Sequence, residues 1–149
     1  VVAVTGSLGR SAAALVAFEA GDAETGNDLF RFEPRVAAGV ALAAHASAMM
    51  DSSDGLARSL YQLAAASDVG FAIERDAVPV DDALGGSDRT ERALTVGEDF
   101  ELVCALDADA VAEARDALSV PLAVVGRVTE SGVTVDGEPL PDRGYTHGE

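Results

Sequence analysis

Asp51, Ser53 and Asp54 stand close together in the run "AMMDSSDGLARSL", residues 48–60, where an apolar stretch gives way to a helical pattern. Two carboxylates favour a hard cation such as Mg²⁺, and that cation in turn bridges phosphate oxygens. Free N–H groups at a helix start favour the same oxygens. Gly55 lets another backbone or a ligand approach closely. If residues 51–53 are extended, Asp51 and Ser53 share a side. These features fit a metal–phosphate site. A helix N-cap formed by Ser52 or Ser53, with acids favoured by the helix dipole, accounts for the same residues. A calcium loop does not. Counted from Asp51, its glycine position holds Leu56 and its bidentate glutamate position holds Gln62.

"TVGEDFELV", residues 95–103, is a second candidate. Phe100 and Leu102 alternate with Glu101 and Val103 as in a strand, which would leave Glu98 and Asp99 projecting at the sheet's end. Ligands commonly sit there, and so do solvated loops. A third stretch, "TGSLGRS", is glycine-rich between a strand and a helix, but it lacks both the Gly-Lys-Thr/Ser ending and the full G-x-G-x-x-G. Arg10 reads either as a phosphate contact or as a surface charge. His45, in an alanine-rich helix, reads as packed or solvated, and His147 in the tail is undecided. No Ser-His-Asp set and no Cys/His cluster appears. Cys104 is alone, so no internal disulfide can form, and it reads as a buried thiol on a strand.

The elements that must position these residues follow from periodicity. "VVAVTG" is a strand running into the glycine turn, and 10–20 has helical spacing. Residues 21–33 read as a polar excursion. A helix starts at Pro34 and runs through 46, followed by an extended "SAMMD". Leu56, Leu60 and Leu63 make 54–66 an amphipathic helix. Residues 69–75 read as a strand, and 76–97 as an irregular connection with a short helix near 88–94. Residues 100–106 read as a strand and 107–118 as a helix. Two last strands, 122–130 and 132–140, are joined at Ser131-Gly132 as a hairpin. This order predicts an α+β fold, a mixed or antiparallel sheet with helices packed on one face.

The chain has 149 residues, 48% of them hydrophobic, enough for one domain with a core of small side chains. Its 26 acidic residues outweigh 10 basic ones, all arginine, for a net charge of −16. Nucleic acid is therefore excluded as an expected partner, because phosphate binding needs a basic face. No apolar run is long enough to span a bilayer, so no membrane role is expected. Dense carboxylates with clear hydrophobic periods suit a halophile's salty cytoplasm, where ions screen self-repulsion.

Taken in order, "VTGSLGRSAA", "EPR", "ASAMMDSSDGLARSL", "VGEDFELV", "VVGRV" and the terminal "GYTH" resemble the C-terminal half of thiamine-monophosphate kinase. The resemblance spans Thr5-Gly6 to His147. It implies a chain of the aminoimidazole ribonucleotide synthetase-like superfamily. The implied reaction is direct transfer of the γ-phosphoryl of ATP to thiamine phosphate, with Mg²⁺, in a cytoplasmic homodimer. It also implies that residues 1–149 are a single C-terminal domain of a two-domain kinase, that the ATP-binding N-terminal half is missing here, and that this fragment alone is inactive. By resemblance, Asp51 and Asp54 bind Mg²⁺, Ser53 contacts an ATP phosphate, and Glu98 and Tyr145 contact thiamine phosphate. Ala14 and Arg10 depart from the family pattern, which usually has Gly and Asp there. Rival readings are a selenophosphate synthetase or hydrogenase-maturation relative, or a non-catalytic substrate-binding module.

Overall fold

The computed structural model describes residues 1–144. Among them seven strands form one sheet: β1 (Val2–Thr5), β2 (Ala46–Asp51), β3 (Gly70–Ile73), β4 (Leu102–Leu106), β5 (Leu122–Thr129), β6 (Val133–Val135) and β7 (Glu138–Pro139). Their order is β2-β4-β1-β5-β3-β6-β7. Neighbours run antiparallel except β3 and β6, which are parallel, so the sheet is mixed. The helices are α1 (Arg10–Glu19), α2 (Ala23–Leu29), α3 (Val36–Leu42), α4 (Leu56–Ser67), α5 (Arg89–Thr95) and α6 (Val111–Asp116).

The period-two geometry of a strand divides the core. Val2, Val4, Val103 and Val125 face α1, α4 and α5 in the main cluster. Leu56, Leu60 and Leu63 of α4 enter that cluster, each contributing about 1.5–3 kcal/mol of burial. That sum outweighs any intrinsic preference of a twelve-residue helix, so packing holds α4 in place. The α+β class and the mixed sheet are as expected from the sequence, whereas helices pack on both faces and not on one alone. The opposite face carries a smaller cluster as well. Ala3, Cys104, Leu106 and Leu122 meet Leu42 of α3 and Val111 and Ala114 of α6 there. Central strands covered on both sides read as unbroken apolar runs, and "VAV" and "LVCAL" are such runs.

Three further sequence expectations are corrected. Strands β5 and β6 are not a hairpin: β3 lies between them, antiparallel to β5 and parallel to β6. A hairpin and a split pair give the same chain directions, and the link near Ser131-Gly132 is long enough to cross two strand spacings. The final tight hairpin is instead β6–β7, turning at Asp136 and Gly137, both at positive φ (51° and 85°). The polar excursion contains α2, capped by Asp22, whose carboxylate accepts from the Thr25 amide at 3.0 Å. Finally, β4 starts at Leu102 rather than Phe100.

Candidate functional site

Asp51 closes β2, exposed and opposite Leu102 of β4. The chain then leaves the sheet through Ser52 and Ser53 and enters α4. Gly55 is the N-cap residue and no side chain caps this helix, so the capping role considered for Ser52 or Ser53 is not observed. Ser52 is buried, and its hydroxyl has no hydrogen-bond partner among the described residues.

The second motif folds onto the first. The Glu98 amide donates to the Ser53 carbonyl at 2.7 Å, and the Phe100 amide donates to the Ser52 carbonyl at 3.3 Å. A Cβ at position 97 would fall on the Ser53 carbonyl oxygen, so only glycine admits this approach. Glu98 and Phe100 both lie in the left-handed region, at φ 68° and 53°. Each such residue costs about 1–3 kcal/mol and persists only where its surroundings over-determine it. This left-handed turn is why the strand alternation expected from Phe100 onward fails.

Asp99 and Glu101 supply that over-determination. Asp99 does not project as a ligand-seeking acid. Its carboxylate accepts from the Gly9 amide (2.6 Å), the Ser11 amide (3.0 Å) and the Ser11 hydroxyl (2.6 Å). It thereby caps α1, whose own N-cap residue is Gly9 with no side chain to offer. Burial pushes the Asp99 carboxyl above its ordinary value, against the pull of these hydrogen bonds. Glu101 is buried and accepts Arg35 in bidentate fashion, Nε to Oε2 at 2.8 Å and Nη2 to Oε1 at 2.7 Å. Thr5 Oγ1 donates to the same carboxylate at 2.6 Å and accepts from the Leu102 amide at 2.8 Å. The bond to Glu101 raises the Arg35 pKa further, so the guanidinium stays charged. Phe32 stacks on Phe100, with ring centroids 4.3 Å apart.

Ser53, Asp54, Glu98 and Phe100 line one opening of about 510 Å³, walled on one side by Leu15. The structure therefore brings Ser53, Asp54 and Glu98 together. Asp51 does not line this opening. Tyr145 and His147 lie outside the described residues. Their neighbour Gly144 sits tightly against the Asp54 carbonyl and Arg58. A second opening, of about 420 Å³, shares Glu98 and is lined by Arg10, Phe32 and Arg35. Among the described residues no three carboxylate, histidine or cysteine side chains form a metal group by themselves. Asp54 lines the opening as a hard carboxylate donor, with Ser53 beside it. One carboxylate fits Mg²⁺, which takes one or two carboxylates and completes its shell with water and substrate phosphates.

Sequence reasoning missed Arg35, Thr5, Phe32 and the structural role of Asp99. One signal was available: Glu101 is a charge inside an otherwise apolar run, and a buried charge requires a partner. Nothing in the sequence says that the partner is Arg35, 66 residues away.

Residues 1–137 match the family described as AIR synthase related protein, C-terminal domain. A thiamine-monophosphate kinase of Halobacterium salinarum is 59% identical over 150 residues, covering 98% of this chain and 52% of the relative. A crystal structure of thiamine-monophosphate kinase from Stenotrophomonas maltophilia is 33% identical, with a TM-score of 0.81 over 93% of this chain and 50% of that one. A solved structure of AaThiL complexed with AMPPCP and TMP is 27% identical, with a TM-score of 0.82 over 98% of this chain and 50% of that one. The chain thus spans about half the length of the relatives it matches.

Proposed function

The chain belongs to the AIR synthase related protein family, as its C-terminal domain, and from that premise we propose that it works as the C-terminal half of a thiamine-monophosphate kinase. In the proposed reaction the bond between the γ-phosphorus of ATP and its bridging oxygen breaks, releasing ADP. A terminal phosphate oxygen of thiamine phosphate forms the new bond, giving thiamine diphosphate without a phospho-enzyme. The observation that carries this reading is the shared opening that joins Ser53 and Asp54 to Glu98. The names of the relatives, and the ATP analogue and TMP in the solved AaThiL complex, support it.

Phosphoryl transfer asks mainly for in-line positioning and for neutralisation of phosphate charge. Carboxylates repel phosphates at close range, so Asp54, which lines the opening, fits a role as Mg²⁺ holder, with Asp51 at the end of β2 proposed as the second carboxylate although it does not line that opening. Bound Mg²⁺ would supply that neutralisation. The Ser53 hydroxyl donates directly to an ATP phosphate oxygen. Glu98 orients thiamine phosphate across the opening. Tyr145 offers a ring face to the cationic thiazolium. The remaining ATP contacts come from an N-terminal half, and the whole protein acts as a cytoplasmic homodimer. No helix among the described residues is long and apolar enough to cross a membrane. The charge of −16 and the similarity to a Halobacterium protein support adaptation to high salt.

The test is ADP release by the full-length protein with ATP and Mg²⁺. We expect release that depends on thiamine phosphate. Release driven instead by an aminoimidazole precursor or by selenide would replace this reading with another superfamily activity. No ADP release with any of them would leave a binding module.

A further inference from the structure

Resting on the proposed substrate role of Glu98, we propose that residues 30–35 form a strap over the 97–101 turn, with Phe32 and Arg35 as positioning residues that hold Glu98 toward its substrate. Glu98 is exposed, and its direction depends on a left-handed backbone that an ordinary residue leaves readily. On its N-terminal side the turn is fixed by the Ser11 hydroxyl, which donates to the Gly97 carbonyl at 2.8 Å, and by the Glu98 amide on the Ser53 carbonyl at 2.7 Å; the Asp99 carboxylate fixes its centre through three donors, and the Phe100 amide bond to Ser52 is long at 3.3 Å. On its C-terminal side the strap adds to the Ser52 amide, which donates to the Glu101 carbonyl at 2.7 Å. Phe32 covers the Phe100 ring at 4.3 Å with 28° between planes, and Arg35 grips Glu101 through two bonds. Two strap side chains thus hold two successive residues of the turn.

Phe32 is 47% exposed, so filling the core does not explain it. Its ring stacks on Phe100, a residue in a strained conformation. The second opening is lined by Phe32, Arg35 and Glu98 together, which puts the strap directly beside the glutamate. Loss of the stack should therefore free Glu98 while leaving the sheet intact.

The test uses Phe32→Ala and Phe32→Tyr, because Arg35 variants endanger folding. In the full-length protein Phe32→Ala should speed hydrogen exchange at the Glu98 and Phe100 amides by about tenfold, with β1 and β4 amides unchanged. In the same protein it should raise KM for thiamine phosphate by about tenfold, with KM for ATP held within about twofold. Phe32→Tyr should restore both. Unchanged exchange overturns the strap. So does faster exchange with an unchanged KM for thiamine phosphate, or a uniform loss across both substrates that Phe32→Tyr does not rescue. If the wild-type protein does not phosphorylate thiamine phosphate, the kinase reading and the substrate role of Glu98 fail. The exchange measurement then still decides whether the strap holds the turn.

Discussion

Replacing Arg35 with methionine removes the only guanidinium bonded to the Glu101 carboxylate among the described residues and leaves that carboxylate buried, with Thr5 as its remaining side-chain donor. Breaking a buried pair from one side costs about 3–5 kcal/mol, because the stranded charge has lost its water as well as its partner. The Arg35 side chain keeps 19% of its exposure, so some water can reach the vacated space, and the cost should fall near the lower limit, about 3 kcal/mol. For a chain of this length that lowers Tm by about 6–12 °C. The double variant Arg35→Met, Glu101→Leu removes both charges. It leaves the Thr5 hydroxyl without its acceptor, a residual cost of about 1–3 kcal/mol. The double variant should therefore be more stable than the single one, although it changes more atoms. Urea unfolding at 25 °C in molar KCl, followed by circular dichroism, separates the two. Salt should barely alter the difference, because a buried pair is weakly screened. A single variant that loses less than about 1 kcal/mol, or a double variant no more stable than the single, would mean that the Arg35–Glu101 pair does not hold a buried charge.

Asp99→Ala removes the acceptor for three donors at the start of α1 and should cost about 0.5–2 kcal/mol, measured by urea unfolding, whereas an unchanged midpoint would mean that water replaces the carboxylate at no cost. Raising KCl from low to molar concentration should raise the thermal midpoint, because the net charge is −16; a flat or falling midpoint would count against salt adaptation. Cys104 is buried and its thiol is pushed up to about 11, so a thiol-reactive dye at pH 8 should label it only after denaturant is added; rapid native labelling would contradict its placement in the sheet.

Much of this architecture was legible from local patterns. The i, i+4, i+7 leucines of α4 and the apolar runs of β1 and β4 each bury what their periods foretold. The approach of the 51–55 and 97–101 motifs was readable only through resemblance, since the Ser53–Glu98 hydrogen bond joins residues far apart in the chain. What stayed hidden was set by tertiary context. Insertion of β3 between β5 and β6 is a choice among pairings that share one chain direction. The left-handed Glu98 and Phe100 break the strand alternation that their side chains suggest. Asp99 looked like a ligand because capping a helix in another part of the chain leaves no local trace.

In the proposed mechanism Asp54 holds the cation against which the phosphates are aligned. Steady-state kinetics of Asp54→Asn in the full-length protein, across a Mg²⁺ titration, tests it most directly. The expected result is kcat lowered about 100-fold or more, with Tm unchanged and no recovery at saturating Mg²⁺. A normal rate at saturating Mg²⁺ would contradict it.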